Sequence, residues 1–173
     1  MTIGQSLLPE FDQETQSTRK VLELVPDDKW NWKPHEKSGT LGWYVSHIAT
    51  LPGWTTMTVN TEELDYAPVG KPSFQPPKVE NRKDALEVFD KESAEARAAL
   101  NSISDADMMK NWTLLAGGQK IFAMPRVAVL RGMVMNHLIH HRGQLTVYYR
   151  LLDIPVPGLY GPSADDKPAA ASA

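Results

Sequence analysis

The chain has 173 residues, 18 Lys and Arg against 21 Asp and Glu for a net charge of −3, 42% hydrophobic residues and no cysteine. At this length one domain is the default, burying roughly 70% of the surface exposed when unfolded, so folding needs no disulfide or metal staple. Without a thiolate there is no cysteine nucleophile, iron–sulfur cluster, zinc finger or redox pair, any metal must be held by nitrogen or oxygen, and the scattered, balanced charge gives no footprint for nucleic acid.

The start, MTIGQSLLPEF, has no basic region followed by a long apolar run, and no window approaches about 18 uninterrupted apolar residues. The expectation is a soluble, cytoplasmic protein with no membrane partner. Leu7, Leu8, Phe11, Thr15, Thr18, Val21, Leu22 and Val25 recur every three to four positions until Pro26, which predicts a first helix over 4–24. After the polar loop DDKWNWKPHEKSG, Thr40 can cap a second helix with Leu41, Tyr44, His47, Ile48 and Leu51 on one face. Pro52 and Gly53 bend it or end its first part.

Residues 66–78 hold four prolines and no helical period, as expected of a long ordered loop or a lid. A third helix is predicted over 82–102, with Leu86, Phe89, Ser93, Ala96 and Leu100 inward and Glu87, Lys91, Glu92, Glu95 and Arg97 outward. Two short apolar runs around Ala116-Gly117-Gly118 suggest a small β-hairpin, because paired glycines accept positive φ. The fourth helix follows Pro125 and runs from Arg126 to Leu151, roughly 39 Å at 1.5 Å per residue. Four amphipathic helices without a sustained strand pattern read as an all-α helix bundle spanning 1–162, followed by a small, polar, flexible tail over 163–173.

Three of the five histidines crowd into NHLIHHRGQL: His137, His140 and His141. His137 and His141 stand one turn apart on one helix face, so both imidazoles can reach one ion, and they continue the apolar stripe of Leu130, Met133 and Val134. His47 occupies the equivalent inward stripe of the second helix. Together the three nitrogens form a facial set for a borderline divalent ion such as Zn²⁺, Ni²⁺ or Fe²⁺, with positions left for a small-molecule substrate. Taken alone, a histidine on an apolar stripe is more often a hydrogen-bonded core group, and His137 with His140 is a geometric alternative. His35, beside Pro34, reads as a surface side chain.

HLIHH lacks the glutamate that serves zinc proteases of the HExxH type as general base. Glu10, Asp12 or Glu14 on the first helix could supply one, although solvated charges are the simpler reading. The pattern therefore assigns no catalytic residue. Arg126, Arg131, Arg142 and Arg150 on the fourth helix read most simply as partners of acids on neighbouring helices.

The run NHLIHHRGQLTVYYRLLDIPVPGLYGPS, together with DDKWNWKPHEKSGTLGWYVSHI, resembles the DinB family, also called the DinB/YfiT-like metalloenzymes, over most of the chain from the first helix to about Ser163. The resemblance implies a four-helix bundle, up-down-down-up, with a long crossover between helices two and three that the proline-rich 66–78 would form. It implies a homodimer and a metal site on His47, His137 and His141; Arg142, Gly143 and Gln144 also match the family motif. Related families include S-transferases and isomerases that use a low-molecular-weight thiol, and many members are described as metal-dependent hydrolases. The expected function is thus a metal-dependent enzyme activating a thiol cosubstrate or water. The absent HExxH glutamate favours the thiol, whose free pKa of about 8.5 already lies near neutrality. A non-catalytic metal-binding or stress-response protein is the alternative, and a structural dimerisation bundle with polar core histidines is a third.

Overall fold

The computed structural model describes residues 1–166; residues 167–173, and with them most of the tail assigned from sequence, lie outside that range. The described chain is mostly helical. Helix α1 (Ile3–Leu22) starts at a reciprocal cap in which the Thr2 hydroxyl accepts from the Gln5 amide and the Gln5 side chain accepts from the Thr2 amide. Helix α2 (Leu41–Thr50) starts where the Thr40 hydroxyl accepts from Trp43, and α3 (Gly53–Asn60) follows directly after Leu51 and Pro52. Helix α4 (Arg82–Ser102) is capped by Asn81, whose side chain accepts from the Asp84 amide. A single turn, α5 (Asp105–Met108), precedes the sheet.

The last helical rod has three parts in unbroken succession: α6 (Arg126–Val129), a π-helical stretch (Leu130–Asn136) and α7 (His137–Leu151). Helix α1 packs on α4 and α7, and α2 packs on the same two helices. Val21, Leu22, Leu41, Val45, Ile48, Phe89, Leu138, Leu145 and Tyr149 fill the space among them.

The all-α expectation is incomplete. Strand β2 (Asn111–Ala116) pairs antiparallel with β3 (Gln119–Pro125), as the paired glycines suggested, but β1 (Glu63–Asp65) adds in parallel to the free edge of β2. The element is a three-stranded sheet. Gly117 and Gly118 turn the hairpin at φ of 57° and 75°, a region that glycine enters without a Cβ penalty. The Asp65 carboxylate accepts from the amides of Gly117 and Gly118, which ties β1 to the turn. Trp112 fastens the sheet to the helices: it is fully buried and its indole N–H donates to Thr61 Oγ1 at 3.0 Å.

Segment 66–81 contains no helix or strand. It is held to α2 by Ser46, whose hydroxyl donates to the Val79 carbonyl at 3.2 Å. Among the described residues no helix is long and apolar enough to cross a membrane. Close approach of α1 to α4 depends on Gly4, where an added Cβ would run into the backbone carbonyl of Leu100 and the Ile103 side chain. Backbone cannot yield as a flexible side chain does. Gly4→Ala is therefore expected to cost about 1–3 kcal/mol in urea denaturation, after the gain of up to about 1 kcal/mol from helix propensity. A neutral or stabilising result would show that the two helices are not in register-locked contact.

Candidate metal centre

His47 projects from the middle of α2, while His137 and His141 occupy the first turn and a half of α7. Their Nε2 atoms converge: that of His137 is 2.8 Å from His141 and 3.4 Å from His47. One ligand atom from each of the three lies within 4.8 Å of the others. The remaining ring nitrogens show which way the protons point. His137 Nδ1 lies 3.2 Å from the Met133 carbonyl, and His141 Nδ1 lies 2.7 Å from Gln144 Oε1. Both oxygens only accept, so each Nδ1 carries the ring proton and donates, leaving bare lone pairs on the two facing Nε2 atoms.

Burial disfavours the charged form of His47 and of His141. His47 is pulled from its ordinary 6.5 down to about 4, chiefly by desolvation and further by repulsion from His141 and His137. His141, only 9% exposed, is also lowered, first by desolvation and against the opposing hydrogen bond to Gln144. Two neutral imidazoles with lone pairs facing across 2.8 Å repel each other. A shared cation reverses the sign of that contact. Nitrogens about 2.1 Å from one ion stand about 3.0 Å apart at 90° and about 3.4 Å apart at the tetrahedral angle, so the spacings of 2.8 and 3.4 Å made by His137 are close to those around a divalent ion. Second contacts of the kind made by Met133 and Gln144 fix ring tautomer and orientation.

The low His47 value has a consequence for the metal-free protein. Unfolded, His47 takes its proton below about 6.5; folded, it does so only near 4. Between those values the unfolded chain binds more protons, so stability present above pH 6.5 is lost as pH falls towards 4. In the absence of metal, the urea midpoint is expected to fall between pH 7 and 4.5, and to fall less in His47→Gln. Parallel pH profiles for the two proteins would overturn this.

The other histidines stand apart from the cluster. His140 is exposed and edges onto His141 with ring centroids 5.0 Å apart, and His35 is exposed in its loop, where its Nδ1 accepts from the Lys37 amide. Trp43 stacks on the His47 ring at 5.1 Å and meets His141 edge-on, yet remains 51% exposed. The site therefore has an aromatic wall that reaches solvent. A cavity of about 470 Å³ lies on that side, between Lys33, Thr40, Trp43 and Tyr44.

Two acids depart from the sequence reading. Glu14, read as solvated, is buried: its carboxylate pairs with Arg142 at 2.6 Å and accepts from the Tyr160 hydroxyl at 2.8 Å. Arg142, 1% exposed, also donates to the Glu14 carbonyl and to Thr18. Arg142 directly follows His141, so this knot anchors α7 to α1 beside the cluster. Glu92, read as outward, is only 13% exposed on its side chain. Of the remaining arginines, Arg131 pairs with Glu10 and Arg150 with Asp165, whereas Arg126 donates to the backbone carbonyls of Thr58, Thr61 and Asp107.

Known proteins share this architecture. The uncharacterized protein YrdA of Bacillus subtilis is 26% identical over 163 residues, covering 92% of this chain and 89% of that protein. The crystal structure of a DinB-like protein from Bacillus cereus superposes with a TM-score of 0.66 at 26% identity, covering 90% of this chain and 97% of that one. The DinB-like protein YjoA from Bacillus subtilis superposes with a TM-score of 0.68 at 18% identity, covering 91% and 99%. The family model of the DinB superfamily matches residues 10–145. On that match, which takes in all three clustered histidines, the chain belongs to the DinB superfamily.

Proposed function

We propose that His47, His137 and His141 hold a divalent ion, Zn²⁺, Ni²⁺ or Fe²⁺, and that the protein is a metal-dependent enzyme of the thiol-dependent S-transferase or hydrolase type. The observation that carries this reading is the pair of bare Nε2 lone pairs 2.8 Å apart, with both Nδ1 protons engaged elsewhere. When bound, such an ion supplies a Lewis-acid centre that brings the pKa of a nearby thiol or water towards neutrality. The chain's own residues hold the rings in one tautomer through Met133 and Gln144. Trp43 screens one side of the centre and leaves it open to a small molecule.

Among the described residues no fourth histidine or carboxylate joins the cluster, and cavities border Trp43 and His47. Both favour an open reaction centre over closed sequestration or a metal-binding protein without catalysis. In the same reading, α1, α2 with α3, α4, and α6 with α7 make up the four arms of an up-down-down-up bundle, domain 1–162, whose crossover is 66–81; the cyclic packing of α1, α4, α2 and α7 supports it. A cytoplasmic homodimer completes the proposal.

The test begins with elemental analysis of protein purified without an affinity tag, followed by a thermal-shift screen of low-molecular-weight thiols with and without metal. A thiol that stabilises only the metal-loaded form supports the transferase reading. Absence of metal after loading, or full activity on an identified substrate with the histidines removed, would sink the proposal.

A further inference from the structure

The face of α2 and α3 beneath segment 66–81 is hollow. A cavity of about 210 Å³ has Trp43, Ser46, His47 and Thr50 on one side and Pro76 with Pro77 on the other. A second, of about 160 Å³, begins at the same Thr50, Pro76 and Pro77 and continues between Trp54, Met57 and Phe74 to Glu92 on α4. The two cavities share these three wall residues. Along the helices, His47 to Gly53 spans about 9 Å at 1.5 Å per residue. Prolines line both cavities where they adjoin, a histidine of the cluster lines one of them, and a carboxylate lines the other.

The carboxylate is placed with some care by the fold. Glu92 Oε2 occupies the space that a Cβ on Gly53 would need, so only a glycine at the start of α3 leaves room for it. Its charged neighbour is Lys91, 3.8 Å away on the same helix and itself 66% exposed. A contact this long to a solvent-exposed lysine contributes little. Lining the second cavity, Trp54 and Phe74 form an edge-on aromatic pair with centroids 6.2 Å apart. A carboxylate beside aromatic faces attracts an organic cation, and one that can also donate hydrogen bonds gains most.

We propose that the two adjoining cavities act as one passage, the substrate subsite for a primary ammonium group carried on an unbranched aliphatic chain, with Glu92 as its counter-charge. The methylene chain lies against Met57, Pro76 and Pro77, and the reacting end of the molecule reaches His47. This inference rests on the proposed role of the three histidines as the reaction centre, but the Glu92 end recognises its ligand with or without metal.

The probe is n-hexylamine, with 1-hexanol as its neutral counterpart, titrated into zinc-loaded and metal-free protein and followed by tryptophan fluorescence and thermal shift. The expected result is binding of hexylamine at least about tenfold tighter than hexanol in both forms, with the preference lost in Glu92→Gln. Gly53→Ala, which favours the helix but displaces the carboxylate, should lose it too while keeping the wild-type melting temperature, and so serves if Glu92→Gln fails to fold. Equal binding of amine and alcohol by wild type overturns the proposal. So does a preference that survives both substitutions, or tetramethylammonium binding as well as hexylamine. Failure of the metal reading looks different: no zinc uptake, with the amine preference intact.

Discussion

Replacing His137 by alanine is expected to abolish high-affinity metal binding, lowering zinc affinity by more than about 100-fold, the upper range seen when only an outer contact to a ligand is removed. His137 is the central member of the cluster, since its Nε2 is the atom that neighbours both other nitrogens, at 2.8 and 3.4 Å. Its loss leaves His47 and His141 too few to form a facial set. In wild type, zinc at 1,000 times its dissociation constant should add about 4.1 kcal/mol of apparent stability, and this increment should vanish in His137→Ala. Exposed His140 supplies the control: His140→Ala should keep the zinc content and the zinc-dependent rise in melting temperature. Equal metal content in both variants, measured by elemental analysis, would remove the triad as the binding site.

Arg142→Met is expected to give the largest loss of stability of any single change considered, about 3–5 kcal/mol, or on the order of 10 °C in melting temperature. The reason is the state of its partner. Without the guanidinium, the buried Glu14 carboxylate keeps only the Tyr160 hydroxyl among its side-chain partners, and an uncompensated buried charge costs far more than the pair gains. Glu14→Leu combined with Arg142→Met should recover much of the loss, because neither charge is then stranded. Denaturant titration of the two single variants and the double variant measures the coupling. A cost below about 1 kcal/mol for Arg142→Met would mean that solvent reaches the pair. Because Arg142 adjoins His141, zinc affinity should fall in the single variant as well.

The long helices were legible because local chemistry marks both their ends and their inner faces. Thr40 caps α2 as its position predicted, and α4 runs over the predicted 82–102. The histidines were legible for the same reason: the 137 and 141 spacing is a property of one helix, and His47 lies on a visible stripe. Contacts made across the chain left weaker marks. Strand β1 is three residues long and finds its partner some fifty positions later, so no alternation reveals it. The π-helical hydrogen bonding of Leu130–Asn136 has no period of its own in a run of apolar residues.

Glu14 and Arg142 did leave a signal. Leu7, Phe11, Glu14, Thr18 and Val21 step by four, three, four and three, so Glu14 sits on the buried stripe itself; Leu138, Arg142, Leu145 and Tyr149 do the same on the other helix. An acid on one inward stripe and a base on another indicate a buried pair; Arg142 was expected to pair with an acid of a neighbouring helix, and reading Glu14 as a solvated charge left that acid unidentified. Glu92 is harder to find, since what draws it inward is the missing side chain of Gly53 on a different helix.

Each turn of Leu130–Asn136 takes in more residues than an α-turn, so the side chains before and after this stretch are out of phase along what is otherwise one rod. Upstream, Arg126 and Val129 are set to serve the loop carbonyls and the sheet; downstream, His137 and His141 are set to face α2. The wider turns take up about one extra residue, so deleting one residue within the stretch would let the rod continue as plain α-helix with the histidines still facing α2, whereas converting the stretch to α-helix at its present length would turn them by about 100° relative to everything before them. The direction of the histidines is thus set jointly by the length of the stretch and its hydrogen bonding, and a relative one residue shorter there could present the same ligands from an uninterrupted α-helix.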